Sequence, residues 1–191
     1  MKIFITLFFC ATCWIAPDGN FQTRLSNAAL SIIDARIKYD GSYTQIPYPM
    51  GDVDKTKGVC TDVVIRSYRK LGIDLQKEVH EDMKAHFSAY PTKWGLKKPD
   101  TNIDHRRVPN LEVFFARNGQ KLAVTQKASD YKTGDIVTWM INGKLPHIGI
   151  VTNRKSADGK RFMIVHNVGG GQVLEDCLFR YDLTGHFTYR K

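Results

Sequence analysis

Only four cysteines occur in this 191-residue chain, and none falls in the paired spacing of a metal motif. Internal repeats, low-complexity tracts and any linker long enough to divide the chain into domains are also missing, which excludes solenoids and strings of separate domains. Hydrophobic residues make up 42% and charged residues 25%, excluding a disordered chain or a membrane channel. Acidic residues are the scarce charged type: 19 Asp and Glu stand against 28 Lys and Arg, a formal charge of +9. Such a surface is drawn to polyanions. The basic residues are dispersed rather than interleaved with stacking aromatics, which argues against nucleic acid and for an anionic membrane face or cell-wall polymer.

The N-terminus supports that side. Lys2 precedes an uncharged apolar run from Ile3 to Ala16, closed by Pro17-Asp18-Gly19. As a helix the run spans about 21 Å, short of the roughly 30 Å hydrocarbon core, and it reads as a secretory signal. Residues 1–16 are therefore expected to be removed, with Ala11-Thr12-Cys13 and Ala16 as competing cleavage sites. The rest would be periplasmic or secreted, with no integral membrane span. Cys60 and Cys177 would then remain, and in an oxidising compartment they could form one disulfide.

Helical spacing marks Phe21 to Tyr39, His80 to Tyr90 and Val108 to Asn118, the last with Pro109 in its first turn and Gly119 beyond its end. Cys60, Val64, Tyr68 and Leu71 also share one helical side, so that Cys60 opens a helix ending near Gly72. The C-terminal third changes to short β-branched and aromatic runs, "GDIVTWMI", "HIGIVTN", "RFMIVHN", "GQVLEDCLF" and "GHFTYRK". Asn142-Gly143 and Asp158-Gly159 between them are hairpin signals. The expectation is an α+β fold, helices first and an antiparallel meander after.

A helix-leading thiol can be simple packing, or a nucleophile whose thiolate the helix N-terminus favours. His147 opens one apolar strand and His166 closes the next, so an Asp-Gly hairpin brings both to one end of the sheet. Cysteine, imidazole base and a polar orienter are what amide cleavage through a thioester requires. Asn167 is the alternative orienter. His80, Glu81 and Asp82 cannot converge on one helical face, so no metal site is assigned.

In order and local sequence, "VCTDVV", "GDIVTW", "HIGIV" and "MIVHN" resemble the NlpC-type, papain-like superfamily of bacterial cell-wall cysteine peptidases. By position, Cys60, His147 and His166 inherit the roles of nucleophile, base and orienter. More closely, "GVCTDVVIRSYR", "HEDM", "NIDHRRVPNL" and "PHIGIV" resemble an exported bacterial family, domain of unknown function 1287, from about Ala28 onward. The resemblance implies a papain-like cysteine hydrolase domain over residues 17–191, with a long insertion at about 73–134. Val59 and Asp62 stand where the superfamily usually has Asp and Gly, and a carboxylate at Asp62 would oppose thiolate formation. Tyr48 occupies the place, about a dozen residues before the cysteine, where relatives often carry a tyrosine.

His105, Arg106 and Arg107 are candidates for gripping a substrate carboxylate, for which arginine has the bidentate geometry, and Tyr48, Asp62 and Asn167 are further candidate substrate contacts. The expected activity is hydrolysis of amide bonds in peptidoglycan stem peptides, without a cofactor. An acyltransferase or deamidase using the same thioester, or a non-catalytic wall-binding module with Cys60 tied to Cys177, are the alternatives.

Overall fold

The computed structural model describes residues 19–189, so the expected signal segment lies outside the described residues. Helix α1 (Phe21–Leu30) opens at Asn20, whose side chain accepts the Thr23 N–H. Here the sequence expectation needs correcting, because the helix expected to reach Tyr39 stops nine residues earlier. The Asp34 main chain leaves the helix to bridge Gln172 in both directions, and Asp34 holds Arg36 through its side chain. The released segment becomes β1 (Lys38–Tyr39), which pairs in parallel with β2 (Lys57–Gly58). That short ribbon sets Tyr39 beside Gly58, two residues before Cys60.

Helix α2 (Cys60–Arg69) follows, with a buried stripe that includes Val63, Val64 and Tyr68. Helix α3 (Leu75–Ala85) starts earlier than expected, because Asp74 caps it through the Gln76 N–H. A 3₁₀ turn (Asp104–Arg106) then leads into α4 (Val108–Asn118), where Pro109 sits in the first turn and Gly119 at the end as expected.

After the short β3 (Gln120–Lys121), the sheet is built by β4 (Ile136–Ile141), β5 (Leu145–Lys155), β6 (Phe162–His166), β7 (Val173–Glu175) and β8 (Asp182–Thr188). All pairings in this sheet are antiparallel, in the order β3-β8-β4-β5-β6-β7. The expected meander holds from β4 to β7, but β8 returns to lie between β3 and β4. Asn142 and Gly143, both at positive φ (50° and 66°), make the turn between β4 and β5.

Alternation along the strands creates two cores. Ile136, Ile148, Ile150 and Val165 face the helices and pack with Val63, Val64, Tyr68, Leu111 and Phe115. Val137, Trp139, Val151 and Ile164 face the other way and are covered by Tyr131, Cys177 and Leu178. The first core seats α2 against the sheet, and Tyr68 fixes the helix further by donating its hydroxyl to the Tyr189 carbonyl (3.0 Å). Among the described residues, no helix is long and apolar enough to cross a membrane.

Candidate active site

Cys60 is the first residue of α2 and only 3% exposed. The main-chain N–H groups of Ile148 and Thr61 and the Tyr39 hydroxyl hydrogen-bond its sulfur. The sulfur therefore lies against β5 at the residue that follows His147. Burial nevertheless pushes the thiol up to about 12, with the Asp62 charge acting in the same direction and the three donors opposing. The helix terminus was expected to favour the thiolate, but in this buried setting desolvation wins. The resting group is a thiol. Cys60 and Cys177 are both free, and they belong to different cores, so no disulfide joins them.

His147 pairs opposite Trp139 on β4, with ring centroids 5.6 Å apart. Its Nε2 lies 2.8 Å from Nδ1 of His166, while its own Nδ1 is buried without a hydrogen-bond partner. Burial holds the His147 ring down to about 3, with the neighbouring His166 adding to the effect, so it rests as a neutral imidazole. Gly149, two residues after His147, lies against β6. A Cβ there would fall 2.6 Å from Ile164 Cγ2 and 3.2 Å from His166 Cβ, so the close approach of β6 requires glycine. The structure thus joins the two imidazoles and sets the sulfur at the adjacent peptide, without a hydrogen bond between Cys60 and His147.

His166 is itself held on its far side. Its Nε2 is 3.3 Å from Glu175 Oε2 and 3.6 Å from Cys177 Sγ. These three donor atoms lie within 4.8 Å of one another and, among the described residues, form a set that could hold a metal, although Arg180 already occupies Glu175 Oε2 at 2.6 Å.

Asp62 and Arg106 form a buried bidentate pair, Nε to Oδ1 and Nη2 to Oδ2 both at 2.9 Å, with each side chain 2% exposed. Asp62 Oδ2 also accepts the Val59 N–H at 2.7 Å, capping the α2 N-terminus. This engagement leaves Arg106 committed to the protein rather than open to a substrate carboxylate. His105 is buried under α3 and α4 with Nδ1 unpartnered, and burial holds it down to about 3. Asn167 spends its amide on the Gly58 carbonyl and the Gly169 N–H, tying the exit of β6 to the strand before Cys60. Tyr48 packs edge-on against His80, ring centroids 5.2 Å apart.

Sequence reasoning passed over Tyr39 and Glu175. Tyr39 lies 21 positions before Cys60 because an irregular loop intervenes, and only the β1–β2 pairing brings it back. A cavity of about 230 Å³ opens beside Cys60, walled by Tyr39, Val59, Trp94, Arg106, Arg107 and Pro146. In that wall Arg107 stacks on the Trp94 ring at 4.2 Å and has one long contact with Asp104 (3.5 Å).

Comparison with known proteins agrees with this architecture. A protein of Escherichia coli (strain K12), described as "Uncharacterized protein YijF", is 46% identical over 172 residues, spanning 90% of this chain and 83% of the relative. Two crystal structures of an N-acetylmuramoyl-L-alanine amidase from Bacteroides uniformis ATCC 8492 share the fold at 14% sequence identity. One has a TM-score of 0.54, covering 89% of this chain and 99% of that chain. The other has a TM-score of 0.51, covering 87% and 96%. Residues 26–189 match the family described as "Domain of unknown function (DUF1287)", and the chain belongs to that family.

Proposed function

We propose that the protein is an exported cysteine amidase of NlpC-like, papain-like type that cleaves amide bonds in peptidoglycan stem peptides, with Cys60 as nucleophile, His147 as acid and base, and His166 as orienter. One observation carries this reading. His147 has one ring nitrogen held by His166 and the other buried and unpartnered, and the Cys60 sulfur is held at the main-chain N–H of Ile148, the next residue in the chain. Unlike the equally unpartnered Nδ1 of His105, this nitrogen belongs to a ring whose other nitrogen is hydrogen-bonded to a second imidazole.

As Cys60 attacks the substrate carbonyl, its proton passes to His147 Nδ1, which then protonates the leaving amine. Water, deprotonated by the same nitrogen, splits the acyl-thioester and regenerates the thiol. A thiol that burial keeps protonated suits this order, because the proton leaves during attack rather than before it. The Tyr39 hydroxyl is placed to turn from the sulfur to the oxyanion of the tetrahedral intermediate. The cavity wall is mostly apolar, and Arg107, stacked on Trp94, suits a peptide bearing a free carboxylate. The amidase named among the fold neighbours, the +9 charge and the N-terminal apolar run support a cell-wall substrate.

The test is digestion of purified peptidoglycan and its muropeptides by the wild-type chain and by Cys60→Ala, His147→Ala and His166→Ala, with products identified by mass. A gain of 18 Da across a cleaved amide, lost in all three variants, is the expected result. Transfer products would redirect the reading to acyl transfer. Activity retained in Cys60→Ala would overturn it.

A further inference from the structure

Both imidazoles of the candidate site are buried, and their proton positions are interdependent. Between His147 Nε2 and His166 Nδ1, at 2.8 Å, one nitrogen must donate and the other accept. If His166 donates, the proton of neutral His147 sits on Nδ1, and that nitrogen cannot take one from Cys60. If His147 donates, Nδ1 carries a lone pair and can act as a base. What surrounds His166 Nε2 therefore decides whether His147 can function.

Two groups face Nε2, and they favour opposite outcomes. Glu175 Oε2, at 3.3 Å, belongs to a group that when ionised only accepts, so it requires Nε2 to carry its proton. Cys177 Sγ, at 3.6 Å, belongs to a thiol that can donate, and a donated S–H would strip that proton and reverse the chain. Arg180 Nη1 donates to the same Glu175 oxygen at 2.6 Å and so fixes where the carboxylate points. These groups, with His147 itself, are the titratable neighbours of His166 in the structure.

Resting on the cysteine-amidase reading above, we infer that Glu175 is a fourth member of the site, a positioning residue that, aimed by Arg180, sets the tautomers of both histidines so that His147 Nδ1 is free to accept the Cys60 proton. The order is Arg180–Glu175–His166–His147–Cys60. On attack one proton moves, from Cys60 Sγ to His147 Nδ1. The resulting imidazolium keeps its Nε2–H on His166 Nδ1, and His166 keeps its Nε2–H on Glu175. No proton crosses the outer links, so the carboxylate acts by holding direction and by favouring the imidazolium electrostatically.

Two readouts on the full chain test this. The first is the imidazole ¹⁵N chemical shift of His147 and His166 in the resting protein at pH 7. The wild type is expected to show His147 unprotonated at Nδ1 and His166 unprotonated at Nδ1. Glu175→Gln, whose amide can donate to His166 Nε2, is expected to move both protons to Nδ1. The second is the rate of Cys60 alkylation against pH, followed by mass on the Cys60 peptide so that Cys177 does not interfere. About a tenfold or greater loss at pH 7 is expected in Glu175→Gln and Glu175→Ala, with Glu175→Asp recovering some of it. Glu175 is on the rim of the sheet and a third exposed, so these variants should fold. Wild-type tautomers that persist in Glu175→Gln, with alkylation within twofold, would overturn the relay while leaving the cysteine–histidine pair standing. Tautomers that change on adding a chelator would instead put a metal on His166 Nε2 and overturn it. If His147→Ala leaves Cys60 alkylation unaltered, the cysteine–histidine reading fails first, and the relay with it.

Discussion

Replacing Asp62 by alanine tests how the helix that Cys60 opens is anchored. The Arg106 guanidinium makes two 2.9 Å bonds to this carboxylate, and its remaining contacts are long ones to the main-chain oxygens of Asp40 (3.3 Å) and Ser42 (3.5 Å). With both side chains 2% exposed, the variant leaves a buried cation without its counter-charge and uncaps the first turn of α2. Breaking a buried pair from one side costs about 3–5 kcal/mol. For a chain of this size each kcal/mol lowers the melting midpoint by about 2–4 °C, so Asp62→Ala should melt roughly 6–20 °C lower. Urea unfolding monitored by tryptophan fluorescence gives the free energy, and calorimetry the midpoint. The double variant Asp62→Ala/Arg106→Met removes both charges and should recover most of the loss. A fall below about 1 kcal/mol in the single variant would refute the reasoning, since it would mean that water reaches the guanidinium as soon as the carboxylate is gone.

Three further outcomes follow from the geometry. His105 and His147 are both held down to about 3 by burial, against an ordinary value of 6.5. Between those values the unfolded chain binds more protons than the folded one, so stability present above about pH 6.5 declines as pH falls toward 3. Urea midpoints should therefore drop from pH 7 to pH 5, and His105→Gln should flatten that slope; an unaltered slope would count against a neutral buried His105. Gly149→Ala forces a methyl to within 2.6 Å of Ile164 Cγ2 and should cost about 1–3 kcal/mol in urea unfolding. The same variant should shift the His147 and His166 ring resonances, because His166 Cβ is the next side-chain atom in its way. Tyr39→Phe removes one of the three donors at the Cys60 sulfur. It should lower turnover of a cleavable muropeptide about 100-fold with little change in stability, and unchanged turnover would remove Tyr39 from the site.

Much of this arrangement is legible in local pattern, because local pattern created it. Cys60 begins its helix where the Val64 and Tyr68 stripe requires, and Pro109 and Gly119 bound α4 as their backbone preferences dictate. His147 and His166 meet because the Asp-Gly hairpin leaves their strands little choice. What escapes local reading depends on distant partners. Residues 31–39 keep a helical spacing of apolar side chains, yet Asp34 gives its main-chain groups to Gln172, 138 positions away. Tyr39 and Glu175 acquire meaning only once β1 and β7 are paired. Asp62 reads in sequence as a charge opposing Cys60, and it does raise the thiol. Its larger structural role, holding Arg106, needs a residue 44 positions on that itself reads as a substrate ligand.

The placement of β8 has a kinetic side. Residues 182–188 follow the other seven strands in chain order, yet they fill the gap between β3 and β4. A nascent chain that ends before residue 182 thus presents two open strand edges and cannot close its sheet, whichever helices have already formed. Pairings of such long sequence separation form slowly, since the loops between them must be closed first. The strands that carry the imidazoles and the carboxylate, β5 to β7, pair among themselves, so their ladder does not wait for β8, whereas the far side of the sheet closes only when the last strand has been inserted between β3 and β4.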